Sequence, residues 1–225
     1  MGSWYAKSYY IPGNHDWDDG NEKGLEYIKN QEQFIEKTLK NYNAFVPDSG
    51  CGKPTLISIN KELVLIAIDT QWWLHPYEKG KNCDNKTTQE VIEKLKQLLK
   101  ENQSKKVIVL GHHPLISKAK HGGRFGLKDH IFPLTNKVKW AWLPLPIVGS
   151  LYPAYRSVFI SPQDAKHKKY KEMIAELQAV FEPYHNIVYA SGHDHNLQYI
   201  KQKNIHYIIS GSAGKKASVK KLKAP

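Results

Sequence analysis

The sequence predicts an α/β layered fold, with β-sheets flanked by helices in a single domain over residues 1–225. Three observations carry that prediction. Short apolar runs alternate with longer segments whose apolar residues recur at helical spacing. Polar stretches rich in histidine follow the runs, which places a site along the C-terminal edge of the sheet. At 225 residues, with 40% hydrophobic and 24% charged content, the chain can bury one sizeable core.

Taken in order, Ser8–Ile11 reads as a strand that runs into Pro12-Gly13-Asn14-His15-Asp16. Gly24 to Tyr42 is predicted helical, with Leu25, Ile28, Ile35 and Leu39 on one face, and Pro47-Asp48-Ser49-Gly50 then turns the chain. Pro54–Asn60 and Leu63–Asp69 read as adjacent strands, with Trp72 and Trp73 expected to pack over the sheet edge. Thr87-Thr88-Gln89-Glu90 has the form of a capping box, and Val91, Ile92, Leu95, Leu98 and Leu99 follow at helical spacing. That helix leads to a strand at Val107–Leu110. A further helix over Lys168–Phe181 leads to a strand at Asn186–Ala190, and Ile205–Ser210 forms one more. Two segments break the rhythm. Val138–Pro153 holds two tryptophans and six leucine, isoleucine or valine residues among three prolines, too short and too broken to span a bilayer as a helix. It reads as a packed loop, or as a lid or docking patch for a protein or membrane surface. Residues 215–225 form a basic tail.

Three of these strand ends deliver histidine: Gly13-Asn14-His15-Asp16, Gly111-His112-His113-Pro114 and Gly192-His193-Asp194-His195. Neutral imidazole binds borderline metals well, and a strand end is a rigid mount for it. Asp194, between the last two histidines, is expected to point away and cap its loop, Asp69 to act as a turn or cap residue, and His113 to hold a supporting or structural place.

In that order the three motifs resemble the metal-binding motifs of the calcineurin-like metallophosphoesterases. Within them, Gly192–Tyr199 and His121, nine residues after His112, are similar to the purple acid phosphatase branch. The resemblance implies metal-dependent hydrolysis of phosphate monoesters or diesters by a dinuclear site with metal-activated hydroxide, the ions about 3.5 to 4 Å apart. Carried over residue by residue, it implies that Asn14, His112 and His193 bind one ion and His195 the other. The ions would be two divalent or trivalent metals drawn from Mn, Zn or Fe. His15 would stabilise the phosphoryl oxygens or protonate the leaving group, Asp16 would orient it, and His121 would face substrate or share the acid role.

The family also carries Asp-x-His and Gly-Asp motifs upstream of Gly-Asn-His, and neither occurs among Met1–Gly13, which hold no Asp, Glu or His. The expectation is therefore a C-terminal portion of such a domain, lacking its first strands and part of the first metal site. The alternative is a non-catalytic binding module with a single ion and the tryptophan-rich segment as its docking loop.

Charge and cysteine content bound the partners. The excess of 33 Lys and Arg over 21 Asp and Glu, a net +12, suits anionic substrates, while no Arg-rich helix or aromatic-basic repeat points to specific nucleic-acid binding. Cys51 and Cys83 form no Cys-x-x-Cys pair, which leaves a disulfide in an oxidising compartment or two free thiols. The branch and that disulfide lean towards the cell envelope or exterior.

Overall fold

The computed structural model of the chain describes residues 7–80, 83–119 and 163–214. His121, the segment Val138–Pro153 and the basic tail 215–225 lie outside the described residues.

One six-stranded sheet organises what is described. Its strands are β1 (Thr55–Ser58), β2 (Leu63–Ala67), β3 (Lys106–Leu110), β4 (Ile187–Ser191), β5 (Leu197–Gln202) and β6 (Ile205–Ser210), in the order β1-β2-β3-β4-β6-β5. The four inner strands β2, β3, β4 and β6 run parallel, while β1 and β5 add antiparallel edges. Runs such as Leu63-Val64-Leu65-Ile66-Ala67 and Val107-Ile108-Val109-Leu110 are apolar at every position, the composition expected where both faces of a parallel sheet are shielded. Because the inner strands share a direction, their C-terminal ends open on one edge.

The helices are α1 (Gly24–Leu39), α2 (Thr70–Leu74), α3 (Thr88–Glu101) and α4 (Lys168–Phe181). On one face of the sheet Val64, Ile66, Val109 and Tyr189 join a core with Leu95 and Leu99 of α3 and Met173 and Leu177 of α4, all essentially inaccessible. The opposite face is shielded at the β1–β2 end, where Val46, Ile57 and Ala67 cluster with Tyr9, Ile11 and Leu65. Towards β5 and β6 that face carries the exposed Leu197, Tyr199 and Ile208.

Helix α3 starts as its sequence predicts. Thr87 Oγ1 accepts from Glu90 N at 3.3 Å and Glu90 Oε2 accepts from Thr87 N at 2.9 Å, so two amides at the helix start are satisfied reciprocally. Thr87→Ala is expected to lower stability by about 1 kcal/mol, read as a shift in the urea midpoint at unchanged slope. Helix α1 stops at Leu39, short of Tyr42, because Lys40 turns left-handed at φ 52°.

One strand expectation is corrected. Ser8–Ile11 forms no strand; Tyr10 makes one bridge to Phe45, and Pro12, which has no N–H to donate, cannot extend it. Trp72 and Trp73 sit in α2, buried in the same core as Val64 and Ile66, where Trp73 Nε1 donates to Glu176 Oε2 of α4 at 3.1 Å. Helix α2 and strand β5 go beyond the expected elements. Cys51 and Cys83 are joined as a disulfide, which settles the alternative left open by the sequence.

Candidate metal centre

The loops after β3 and β4 and the turn around Asn14 meet at the C-terminal edge of the sheet. Gly111 N donates to Ala190 O at 3.1 Å and Gly192 N to His112 O at 3.0 Å, which carries the β3–β4 ladder past the strand ends and holds the two histidine loops together. The Asn14 turn approaches over Gly13, where an added Cβ would lie 2.7 Å from His112 Nδ1; only glycine lets the backbone come so close to the ring.

These contacts bring three predicted site residues to one point. Asn14 Oδ1 lies 2.8 Å from His112 Nε2, which lies 3.2 Å from His193 Nδ1. Asn14 is buried, and its Nδ2 donates to Asp19 Oδ1 at 2.8 Å, so its carbonyl oxygen is the end that faces the histidines. An amide oxygen and two ring nitrogens thus converge, and the single N–H that His112 Nε2 can carry serves both its neighbours poorly. A borderline cation accepts all three donor atoms at once, so the residues fit a bound divalent ion. His193 holds a left-handed backbone at φ 61°, a conformation costing a non-glycine residue about 1 kcal/mol or more that is characteristic of functional turns.

His113 belongs to the same cluster. Ligand atoms of His112, His113 and His193 lie within 4.8 Å of one another, the one such group of three His, Cys, Asp or Glu side chains among the described residues. Its bonding separates it from the other two. His113 is wholly buried, Nε2 faces Gln163 Oε1 at 2.8 Å and Nδ1 faces Thr70 Oγ1 at 2.8 Å. Gln163 Nε2 donates to Gln71 Oε1, so Oε1 of Gln163 is an acceptor and His113 must carry its proton on Nε2. The Nδ1 lone pair then accepts the Thr70 hydroxyl. Gln163 also reaches the centre through its backbone, with O 3.2 Å from His193 Nε2.

The remaining predicted residues sit around this point. His195 is half-buried two positions on from His193 and outside the three-histidine cluster. His15 is exposed at the rim, its Nδ1 2.9 Å from Asp19 Oδ1. The carboxylate beside it in sequence, Asp16, turns back to accept from Gly13 N at 2.8 Å, and burial pushes its pKa up against that bond and the nearby His15. Asp194 stands outside the three-histidine group: it is buried and accepts from the Ser117 hydroxyl, tying the loop after β4 to the loop after β3. Asp69 is the cap expected. Its Oδ1 accepts from Trp72 N at 2.9 Å and its Oδ2 from Trp17 Nε1 at 2.8 Å, and burial raises its pKa to about 7.

Asp19, Thr70 and Gln163 are site neighbours that sequence reasoning missed. The Asp18-Asp19-Gly20 turn signal was legible, but not where it would aim a carboxylate; Gln163 lies in no pattern that marks it.

The chain matches the calcineurin-like phosphoesterase family over residues 2–211. No curated protein matches it. Among solved structures, it is similar to GAP50, described as the anchor in the inner membrane complex of Plasmodium, at 18% identity and a TM-score of 0.37, over 80% of this chain and 44% of that one. It is also similar to a protein of Staphylococcus aureus assigned as a 5'-nucleotidase, in complex with alpha-ketoglutarate, at 14% identity and a TM-score of 0.44, over 92% of this chain and 32% of that one. The chain thus spans less than half the length of either. With histidine-bearing loops gathered at one sheet edge and a match that runs almost end to end, the chain belongs to the calcineurin-like phosphoesterase family.

Proposed function

We propose that the chain supplies the metal- and phosphate-binding edge of a metal-dependent phosphoesterase of the purple acid phosphatase type. The observation that carries this is the convergence of Asn14 Oδ1, His112 Nε2 and His193 Nδ1 within 2.8 and 3.2 Å steps. These three would hold one ion, and His195 would contribute to a second. Bound ions would supply Lewis acidity towards a phosphoryl oxygen and a water acidic enough to attack at neutral pH. His15, exposed beside the ligand set, would hold a proton for the departing ester oxygen as the P–O bond breaks. Asp16, buried behind the same turn, keeps that segment closed through Gly13 N. His121 remains a proposed substrate contact, by resemblance alone.

The substrate is a phosphate ester, monoester or diester, attracted by a chain of net charge +12. Specific nucleic-acid binding forms no part of the reading. The Cys51–Cys83 disulfide supports an extracytoplasmic setting, since such bonds persist in oxidising compartments.

A second reading, binding of a single ion without turnover, is favoured by one observation: among the described residues no carboxylate joins His195 in a metal-holding group. Elemental analysis after dialysis against Mn, Zn and Fe, combined with assays on p-nitrophenyl phosphate and bis-p-nitrophenyl phosphate, separates the two. The phosphoesterase reading expects two ions per chain and turnover lost in His193→Ala. One ion per chain with no turnover of either ester would leave the binding reading in its place.

A further inference from the structure

The turn that follows Asn14 carries three carboxylates, and the one that reaches the site is the farthest along the chain. Asp16 is engaged by Gly13 N. Asp19 Oδ1 accepts from Asn14 Nδ2 at 2.8 Å and stands 2.9 Å from His15 Nδ1, an ion-pair contact. The backbone is bent to allow it. Asp18, Asp19 and Gly20 are successively left-handed, at φ 51°, 52° and 86°, and Asp19 N donates to Asn14 O at 2.8 Å. Two non-glycine residues in that region cost about 1 kcal/mol each or more, so the surroundings must impose the bend. Trp17, fully buried and bonded through Nε1 to Asp69, anchors the turn from within.

We propose that Asp19 is a positioning residue that sets, through one carboxylate oxygen, both the metal-facing end of Asn14 and the tautomer of His15. The proposal rests on the phosphoesterase reading for its purpose, but its geometry is independent of that reading. An ionised carboxylate accepts and never donates, so Asn14 must turn its donor Nδ2 towards Asp19 and Oδ1 towards His112. By the same rule neutral His15 carries its proton on Nδ1, which leaves Nε2 outward as the atom that meets substrate or its leaving group. Side-chain exposures of 76% for His15 and 56% for Asp19 make the pair a weak contributor to stability. Orientation is what it supplies, a role comparable to the partners that fix ligands around a metal.

The test is nitrogen-15 NMR of the full chain without metal at about pH 8.5, where a histidine ring is neutral, comparing wild type, Asp19→Ala and Asp19→Asn. Wild type is expected to show His15 protonated on Nδ1 and slowed exchange of the Asn14 side-chain amide. In Asp19→Ala the His15 proton is expected to move mainly to Nε2, as in free histidine, and the Asn14 amide to exchange freely. Asp19→Asn, which keeps an acceptor oxygen of the same reach, should preserve much of both signals and shows that the turn still folds. Zinc affinity by calorimetry should fall about tenfold or more in Asp19→Ala, in the range seen when a partner orienting a ligand is lost. Unchanged His15 and Asn14 signals in Asp19→Ala would overturn the proposal, as would a change at one residue without the other. Wild-type protein that binds no zinc would defeat the metal reading and leave the two NMR signals to decide the role of Asp19.

Discussion

His112→Ala is expected to weaken zinc or manganese binding by well over a hundredfold and, on the proposed phosphoesterase reading, to abolish hydrolysis of phosphate esters. His112 Nε2 is the middle atom of the converging set, 2.8 Å from Asn14 Oδ1 and 3.2 Å from His193 Nδ1, so its removal leaves two donor atoms with nothing between them. Loss of a residue that only orients a ligand costs about 10- to 100-fold in affinity, and a direct ligand must exceed that. His113→Ala separates the two ways in which three histidines can share this space. With Nε2 on Gln163 and Nδ1 on Thr70, His113 is committed to holding its neighbours, so its loss should fall within that lower range while costing stability through two broken buried hydrogen bonds. Calorimetric titration of the two variants against wild type reads both effects. A His113→Ala variant as crippled as His112→Ala would mean that the ion sits among the three histidines and not against Asn14.

The parts of this arrangement that were legible in the sequence are those that depend on period and on strand ends. Lys168–Phe181 and Ile205–Ser210 are found at their expected bounds, and α3 starts at the capping box, because each has a strong local signal that the tertiary structure does not contest. The four-residue run at Ser8–Ile11 had the composition of a strand but no partner beyond one bridge to Phe45. Helix α2, five residues long, is too short to show a period, and its start is set by Asp69 accepting from Trp72 N. Strand β5 exposes Leu197 and Tyr199, so its pattern lacks the usual apolar-in, polar-out contrast. At the site, glycine-histidine pairs after the apolar runs of β3 and β4 pointed to His112 and His193, because those strand ends aim the side chains, whereas Asn14 was reached through the family resemblance and sits on a turn that follows no strand. Nothing local shows that a left-handed turn swings Asp19, and not Asp16, onto His15, or that Gln163 comes back to His113 from fifty residues away.

Asp69→Asn and His75→Gln are expected to tilt the dependence of stability on pH in opposite senses, although the wild-type curve is nearly flat between pH 4 and 6.5 as far as these two groups decide it. Asp69 ionises near 3.8 when unfolded and at about 7 when folded, because burial outweighs the hydrogen bonds from Trp72 N, Trp17 Nε1 and Gln71 N and Asp16 adds repulsion. Between those values the folded chain binds a proton that the unfolded chain does not. Its contribution is therefore complete below pH 3.8 and is lost as pH rises through 7, at about 1.4 kcal/mol per unit and roughly 4 kcal/mol in all. His75 acts the other way. Burial, with Lys79 and Lys169 adding repulsion against an opposing Glu78 backbone contact, lowers its pKa from 6.5 to about 4, so its contribution is complete above 6.5 and lost as pH falls to 4. Where the two windows overlap the slopes offset, and the rings explain why they are found together: Trp17, bonded to Asp69, lies against His75 with ring centroids 4.7 Å apart. In Asp69→Asn the histidine slope stands alone and stability should rise from pH 4 to 6.5; in His75→Gln it should fall from pH 4 to 7. Urea midpoints at half-unit intervals, taken with a chelator present, measure both, and two variants that ran parallel to wild type would show that neither group is buried as described. Thr70, next in the chain, bonds His113, and Trp17, bonded to Asp69, lies in the turn that carries Asn14 and His15, so the buried Asp69 carboxyl is linked through its neighbours to the candidate metal centre.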